Sequence, residues 1–253
     1  LEIGIGASLA GVRALVAMKH VGLNVAMDAL MTFTHIGAIG GLVLVNADDP
    51  SMHSSQNEQD NRSLAKFARC LLFEPADSQE AYDMVVAGFE LSEQHQVPVI
   101  VRITTRTAHT STIVDLGAGE RIEAPAIPYV KNAQRNVAMP AHGRLMRFAV
   151  EKRTAALRAL TEESPFNRAE AGTGDLGIVA AGVAYQYVKE IFPDAPVFKV
   201  GLSFPPPIEK IRAFAAGVKR LVVIEESDPV LADQIRAAGI PVMEPHMELH
   251  MME

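Results

Sequence analysis

Residues 71–103 read LLFEPADSQEAYDMVVAGFELSEQHQVPVIVRI, and this stretch decides the fold class. Leu71–Phe73 is a short apolar run. Asp77 with Glu80 three residues on makes a capping-box-like start for a helix reaching about Gln94. Val97–Ile103 is continuous in β-branched residues and reads as a buried strand. Working outward, Leu42–Val45 reads as a buried strand between Gly40–Gly41 and the polar Asn46–Pro50. From Gly22 to Ile36 apolar residues recur at helical spacing (Val25, Leu30, Phe33, Ile36), with Gly37 as the C-cap. Gly4–Val12 suits a closely packed helix. Periodicity leaves Ala14–Met18 open, as a continuation of that helix or as a buried strand. Downstream, strands at Ile178–Ala181, Val197–Val200, Leu221–Ile224 and Ile240–Met243 alternate with helices at Ala184–Ile191, Ile208–Ala216 and Val230–Ala238. Such alternation predicts an α/β protein of two parallel sheets, each with helices on both faces.

The chain has 253 residues, and at about 150 residues per domain two domains are expected. The division predicted is 1–110, a connector over 111–176 and a second domain over 177–253. The connector is polar and Pro-interrupted, and Arg144, Arg147, Lys152, Arg153 and Arg158 suit a solvated helix in it. Apolar residues at 49% and charged residues at 21% suit a soluble protein with a sizeable core. A net charge of −7 argues against a nucleic-acid surface. The single cysteine, Cys70, excludes a disulfide framework and a Cys-ligated metal or iron–sulfur site within these residues, and a reducing cytoplasm is the expected compartment. Cys70 itself is expected to be a small buried apolar residue. Arg13, Lys19, Asn24, Asp28 and Asp48 interrupt every apolar run that approaches membrane-span length. The first residues carry Glu2 and lack a basic region, so they do not read as a signal peptide. The chain starts inside an apolar pattern and stops after a strand-like run, as a piece of a longer protein would.

Three motifs fail on context. Gly172–Gly177 matches G-x-G-x-x-G but precedes a strand, whereas a dinucleotide site must follow one and open a helix. Asn61-Arg62-Ser63 is a glycosylation sequon, silent in a cytoplasmic chain. His246, Glu248 and His250 would share a face of an extended strand and meet a metal; a frayed tail is the preferred reading.

The informative segment is Asp48-Asp-Pro-Ser-Met-His-Ser-Ser-Gln-Asn-Glu-Gln-Asp-Asn61. It directly follows a buried strand and holds no hydrophobic residue but Met52. Ligands of open parallel sheets bind beyond the carboxyl ends of strands. A loop this polar orders many residues without burying apolar area, so function accounts for it better than solvation alone. The same edge receives Glu74–Asp77 and Thr104–His109, together with Lys19 and His20 if Ala14–Met18 is a strand.

These residues resemble the thiamine-diphosphate-dependent 2-oxoacid:ferredoxin oxidoreductases, in their indolepyruvate-type alpha-subunit branch. The resemblance rests on Val21–Ala26, Asp48–Asp60, Asp77–Tyr82 and Pro98–Arg106, and extends through Ser164–Arg168, Gly177–Gly182 and Glu225–Pro229. It implies a pyrimidine-binding (PYR) domain over 1–110 and a transketolase-C-like domain over 177–253, and it makes Ala14–Met18 a strand. The implied reaction converts a 2-oxoacid, coenzyme A and oxidised ferredoxin into an acyl-CoA, carbon dioxide and reduced ferredoxin. Implied cofactors are thiamine diphosphate with Mg²⁺, shared with a downstream domain, and [4Fe–4S] clusters in a C-terminal region. Implied partners are a beta subunit and ferredoxin, in a hetero-oligomer.

By that resemblance Lys19, His20 and Asn24 would face the cofactor, and His53, Ser54, Ser55, Gln56 and Asn57 the reacting oxoacid. No metal ligand is assigned in this chain. The family's activating glutamate lies upstream of Gly4, and Glu2 does not match it. Pyruvate-specific relatives carry an Arg in the loop matching Ser54–Gln59. Here the loop has no Arg before Arg62, which points to an aryl pyruvate. Two rival readings stand beside this one: a transketolase- or E1-beta-like subunit, and a non-catalytic scaffold. His53 also has a plain alternative, as an ordinary core or surface histidine.

Overall fold

The computed structural model describes residues 1–117 and 128–243. Helix α1 (Glu2–Leu9) precedes strand β1 (Ala14–Lys19), so the ambiguous run is a strand. Helix α2 (His20–Ile36), β2 (Leu42–Asp48), α3 (Asn61–Ala68), β3 (Leu71–Phe73), α4 (Ser78–His95) and β4 (Val99–Thr104) follow. Short helices α5 (Thr105–Ala108) and α6 (Ala133–Asn136) lead to the 24-residue α7 (Pro140–Glu163). The second block comprises β5 (Asn167–Glu170), β6 (Leu176–Ala181), α8 (Ala184–Ile191), β7 (Val197–Val200), β8 (Leu202–Phe204), α9 (Ile208–Ala215), β9 (Arg220–Ile224) and α10 (Val230–Ala237).

These elements build two α/β sheets. The first has the order β1-β2-β4-β3-β8 and the second β5-β7-β6-β9. Both are mostly parallel, with β8 antiparallel to β3 and β5 antiparallel to β7. Strand alternation splits the first core between two faces. Leu44, Leu72 and Ile100 pack with Leu23 and Leu30 of α2, while Val43, Phe73, Val99 and Val101 pack with Met84 of α4 and Leu157 of α7. Each such side chain contributes roughly 1.5–3 kcal/mol by leaving water. The second sheet repeats the arrangement. Val179, Phe198, Val200 and Leu221 face α9 and α10, and Ile178, Ala180 and Val197 face Val188 of α8.

The helix punctuation follows the sequence. Gly37 ends α2 at φ +88°, a backbone that favours glycine. Asp77 accepts from the Glu80 amide at 2.9 Å, and Glu80 accepts from the Ala76 amide at 2.9 Å, a reciprocal cap on α4. Cys70 is buried, and burial raises its thiol far above the usual range.

Several expectations are corrected. The basic helix is more than a solvated surface element. Met146, Val150, Thr154 and Leu157 of α7 are buried, and Arg153 donates to the carbonyls of Thr34, His35 and Gln96 at the ends of α2 and α4. Strand β5 lies inside the stretch read as a connector. Ile240–Met243 is no strand, although the Met243 amide still donates to Leu221 O at 2.8 Å. The sheets are not wholly parallel, because β5 and β8 add antiparallel edges. His246, Glu248 and His250 lie outside the described residues.

Candidate active site

Parallel register places the ends of three strands side by side. Lys19 pairs with Ala47, and Asp48 with Thr104. The segments that leave β1, β2, β3 and β4 therefore meet at one edge, as the sequence predicts. Asp49 gathers them. Its carboxylate accepts from the amides of His53 (3.1 Å) and Ser54 (2.9 Å) and from the hydroxyls of Ser55 (2.5 Å) and Thr105 (2.6 Å). Lys19 adds its ammonium 3.9 Å from Asp49 and donates to Ser55 at 2.6 Å. The Ser55 and Thr105 hydroxyls and the Ser54 amide hold Asp49 well below the ordinary carboxylate range. This fastening stabilises a turn with two successive non-glycine residues at positive φ, Ser51 (67°) and Met52 (50°). Such strain persists where surrounding bonds over-determine it, and it concentrates at functional sites.

Beneath the loop lies a buried charge network. Arg102, 3% exposed, donates to Asp48 at 2.6 Å and to Glu74 at 2.8 Å. Asp48 also accepts from Asn46 (2.7 Å) and from the Asn61 amide (3.0 Å). Burial raises Asp48 above the usual carboxylate range against the pull of Arg102. Arg62 pairs with Asp60 and crosses to the second block, where it donates to Glu225 and to the carbonyls of Glu226 (2.6 Å) and Asp228 (2.7 Å). Burial pushes Asp60 up, but Arg62 and Arg102 outweigh it and hold the group low. Glu225 in turn accepts from the Leu231 and Ala232 amides at the start of α10, 2.9 Å each. The network thus ties the loop base to both blocks.

Of the residues predicted for the site, Lys19, His53, Ser54 and Ser55 come together around Asp49. His20 is buried at the start of α2 with Nε2 3.1 Å from the Asn57 carbonyl. That carbonyl can only accept, so Nε2 carries the proton and Nδ1 of a neutral ring is an acceptor. This Nδ1 is buried without a partner. Asn57 accepts from Gln59 at 3.0 Å, and Gln56 is exposed. Asn24 is exposed one turn along α2, apart from the bonds that fasten the loop.

A cleft of about 750 Å³ opens beside the loop, between the first edge and the second block. His53, Thr105, Arg106 and Ile113 line it from one side, and Val183 and Tyr187 from the other. Sequence reasoning missed Asp49 as the hub, and it brought Arg106 to this edge within Thr104–His109 without giving it a role. It also missed the buried Arg102, although a lone charge inside the apolar strand Val99–Ile103 was a readable signal. Arg62, the first Arg after the loop, is buried and paired, so it is no anchor for a ligand.

An α/β chain whose first sheet gathers polar loops at its carboxyl edge has the general form of a cofactor-binding domain. The family model described as "Pyruvate flavodoxin/ferredoxin oxidoreductase, thiamine diP-bdg" matches residues 1–170, and the chain belongs to that family. It is similar to the indolepyruvate oxidoreductase subunit IorA of Archaeoglobus fulgidus, at 41% identity over 94% of this chain and 39% of that one. The IorA subunit of Pyrococcus abyssi is 43% identical over 93% of this chain and 38% of that one. The chain therefore spans about two fifths of the length of these relatives. Among solved structures, the 2-oxoglutarate:ferredoxin oxidoreductase of Magnetococcus marinus superposes with a TM-score of 0.70 at 21% identity, covering 93% of this chain and 50% of that one. A split-gene transketolase superposes at 0.55 and 14% identity, covering 95% of this chain and 68% of that one. Both likenesses concern the fold.

Proposed function

We propose that this chain is the oxoacid-facing part of an alpha subunit that oxidatively decarboxylates aryl pyruvates such as indolepyruvate, with reduction of ferredoxin. The observation that carries the reading is the loop of neutral donors, fastened by Asp49, beside the exposed cation Arg106 at one sheet edge. Identity of 41% and 43% to two IorA subunits supports the substrate class.

The donor set fits one end of thiamine diphosphate. The edge offers neutral hydrogen-bonding groups and the unpartnered acceptor Nδ1 of His20, which suit an aminopyrimidine. Among the described residues, no group of three or more His, Cys, Asp or Glu side chains could hold a metal ion. In this reading Lys19, His20 and Asn24 face the ring end, and a further domain holds the diphosphate with Mg²⁺. The bound cofactor would supply a nucleophilic carbon and an electron sink.

This chain's residues do the positioning. Arg106 takes the oxoacid carboxylate, the cation that the 54–59 segment lacks. His53 donates a hydrogen bond to the keto oxygen, where charge develops. Ser54, Ser55, Gln56 and Asn57 complete the polar rim, and the second block closes the cleft against water. Coenzyme A, [4Fe–4S] clusters, a beta subunit, ferredoxin, a hetero-oligomer and a cytoplasmic setting belong to the same proposal. So does the division at 110 and 176 into PYR-type and transketolase-C-like domains. Alone, these 253 residues would be inactive.

The test is the full-length subunit coexpressed with its partner subunit. We expect indolepyruvate-dependent viologen reduction that requires thiamine diphosphate and coenzyme A. Arg106→Ala should raise KM for the oxoacid about 10–100-fold, since a hydrogen bond to a charged group contributes about 1.5–3 kcal/mol. Absence of turnover with any 2-oxoacid would refute the reading.

A further inference from the structure

We infer that Tyr187, carried by α8 of the second block, selects an aryl side group on the oxoacid by walling the cleft beside the carboxylate anchor. The inference rests on the reading of the cleft as the oxoacid site and adds a specificity residue from the block outside the first sheet.

The cleft sets a cation beside an aromatic ring. Arg106 is exposed and makes no ion pair among the described residues. Its guanidinium carbon stands 5.7 Å from the centroid of the Tyr187 ring, within cation–π range. Val183 on the same side as Tyr187, and Ile113 across from them, add apolar surface to the lining. Tyr187 is 38% exposed and Ile113 98% exposed, so both have apolar surface left for a ligand. An occupant that is anionic at one end and flat and apolar at the other satisfies both walls. Pyruvate would meet Arg106 and leave Tyr187, Val183 and Ile113 in water.

The Tyr187 wall is held in place. Gln186, its neighbour on α8, donates to Asp77 at 3.0 Å, which ties the helix to the segment between β3 and α4. Val183 and Ala184 at the start of α8 are buried. A ring on a tethered helix stays beside the cation, where the side group of an oxoacid held by Arg106 would meet it, and an aryl group gains more there than a methyl group.

The experiment compares wild type, Tyr187→Ala and Tyr187→Phe in the complete enzyme, with kcat and KM for indolepyruvate and for pyruvate. Tyr187→Ala should lower kcat/KM for indolepyruvate about 10-fold, mainly through KM, the size that an aromatic pair supports. For pyruvate kcat/KM should fall less than for indolepyruvate, since it loses only the Tyr187 support of Arg106 and no ring contact of its own. Tyr187→Phe should keep the wild-type ratio. If the alanine variant does not fold, Tyr187→Leu retains apolar bulk and should still lose part of the aryl preference. An unchanged ratio in the alanine or leucine variant, with an active wild type, overturns the inference and leaves the functional reading intact. A wild type that turns over no 2-oxoacid overturns both.

Discussion

At the carboxyl edge of the first sheet, Asp48, Asp60, Arg62, Glu74 and Arg102 are buried under a polar loop. The second sheet comes from the same alternation of strand and helix. Its described residues bury fewer charged side chains: Lys199, which pairs with Glu80 of the first block, and Glu225 after β9, which pairs with Arg62. Burying several charges costs solvation that their mutual attraction barely returns. A chain that concentrates that cost at one edge has a use for that edge. The second sheet contributes a wall, a clasp through Glu225 and Arg62, and the edge strand β8. Backbone topology alone would not separate the two.

The largest expected effect tests this asymmetry. Arg102→Met leaves Asp48, Asp60 and Glu74 without their shared cation and should cost about 3–5 kcal/mol in denaturant unfolding of the full-length subunit. Lys199→Met should cost less, about 1–2 kcal/mol, because Glu80 keeps the Ala76 amide and Arg168 at 3.9 Å. Equal costs would erase the contrast.

Next in size is the chemistry of the edge. His53→Ala in the complete enzyme should lower kcat by about 10²–10³ while thiamine diphosphate still binds, as for a donor aimed at developing charge. Asn57→Ala should act mainly on KM. Wild-type kinetics in both variants would return the loop to an ordinary solvated connector.

Much of this was readable in sequence because it rests on local chemistry. The strand–helix–strand period of residues 71–103, the cap at Asp77 and Glu80, and the loop too polar to be packing all depend on near neighbours. Strands β5 and β8 escaped notice for the opposite reason. Asn167-Arg-Ala-Glu170 has no apolar alternation, and Leu202–Phe204 is three residues long and followed by prolines. Both are strands because a distant partner, β7 or β3, supplies the hydrogen bonds. The site divides the same way. His53 to Asn57 stood out as one polar run, whereas the pairing of Arg62 with Glu225 spans 163 residues. Arg106 reached the edge within Thr104–His109 but was given no role, because the anchor was sought within the loop.

The smallest effect is a pH dependence. The Asp49 carboxyl is lowered in the native chain from 3.8 by the Ser55 and Thr105 hydroxyls and the Ser54 amide. The unfolded chain therefore binds more protons between the two values, and stability falls as pH drops through that window. Its contribution is fully present above 3.8. Melting temperatures of wild type and Asp49→Asn should differ at pH 6 and converge on acidification below that value. A gap that widens in acid would contradict the assignment.

The central claim, that the first edge and not the second receives the oxoacid, is tested most directly by a crystal structure. The complete enzyme would be soaked with thiamine diphosphate and an unreactive 2-oxoacid analogue. The account predicts the analogue's carboxylate about 3 Å from the Arg106 guanidinium, with its keto-equivalent oxygen within hydrogen-bond reach of His53. Full-occupancy analogue bound elsewhere, with Arg106 and His53 both out of hydrogen-bond range, would contradict it.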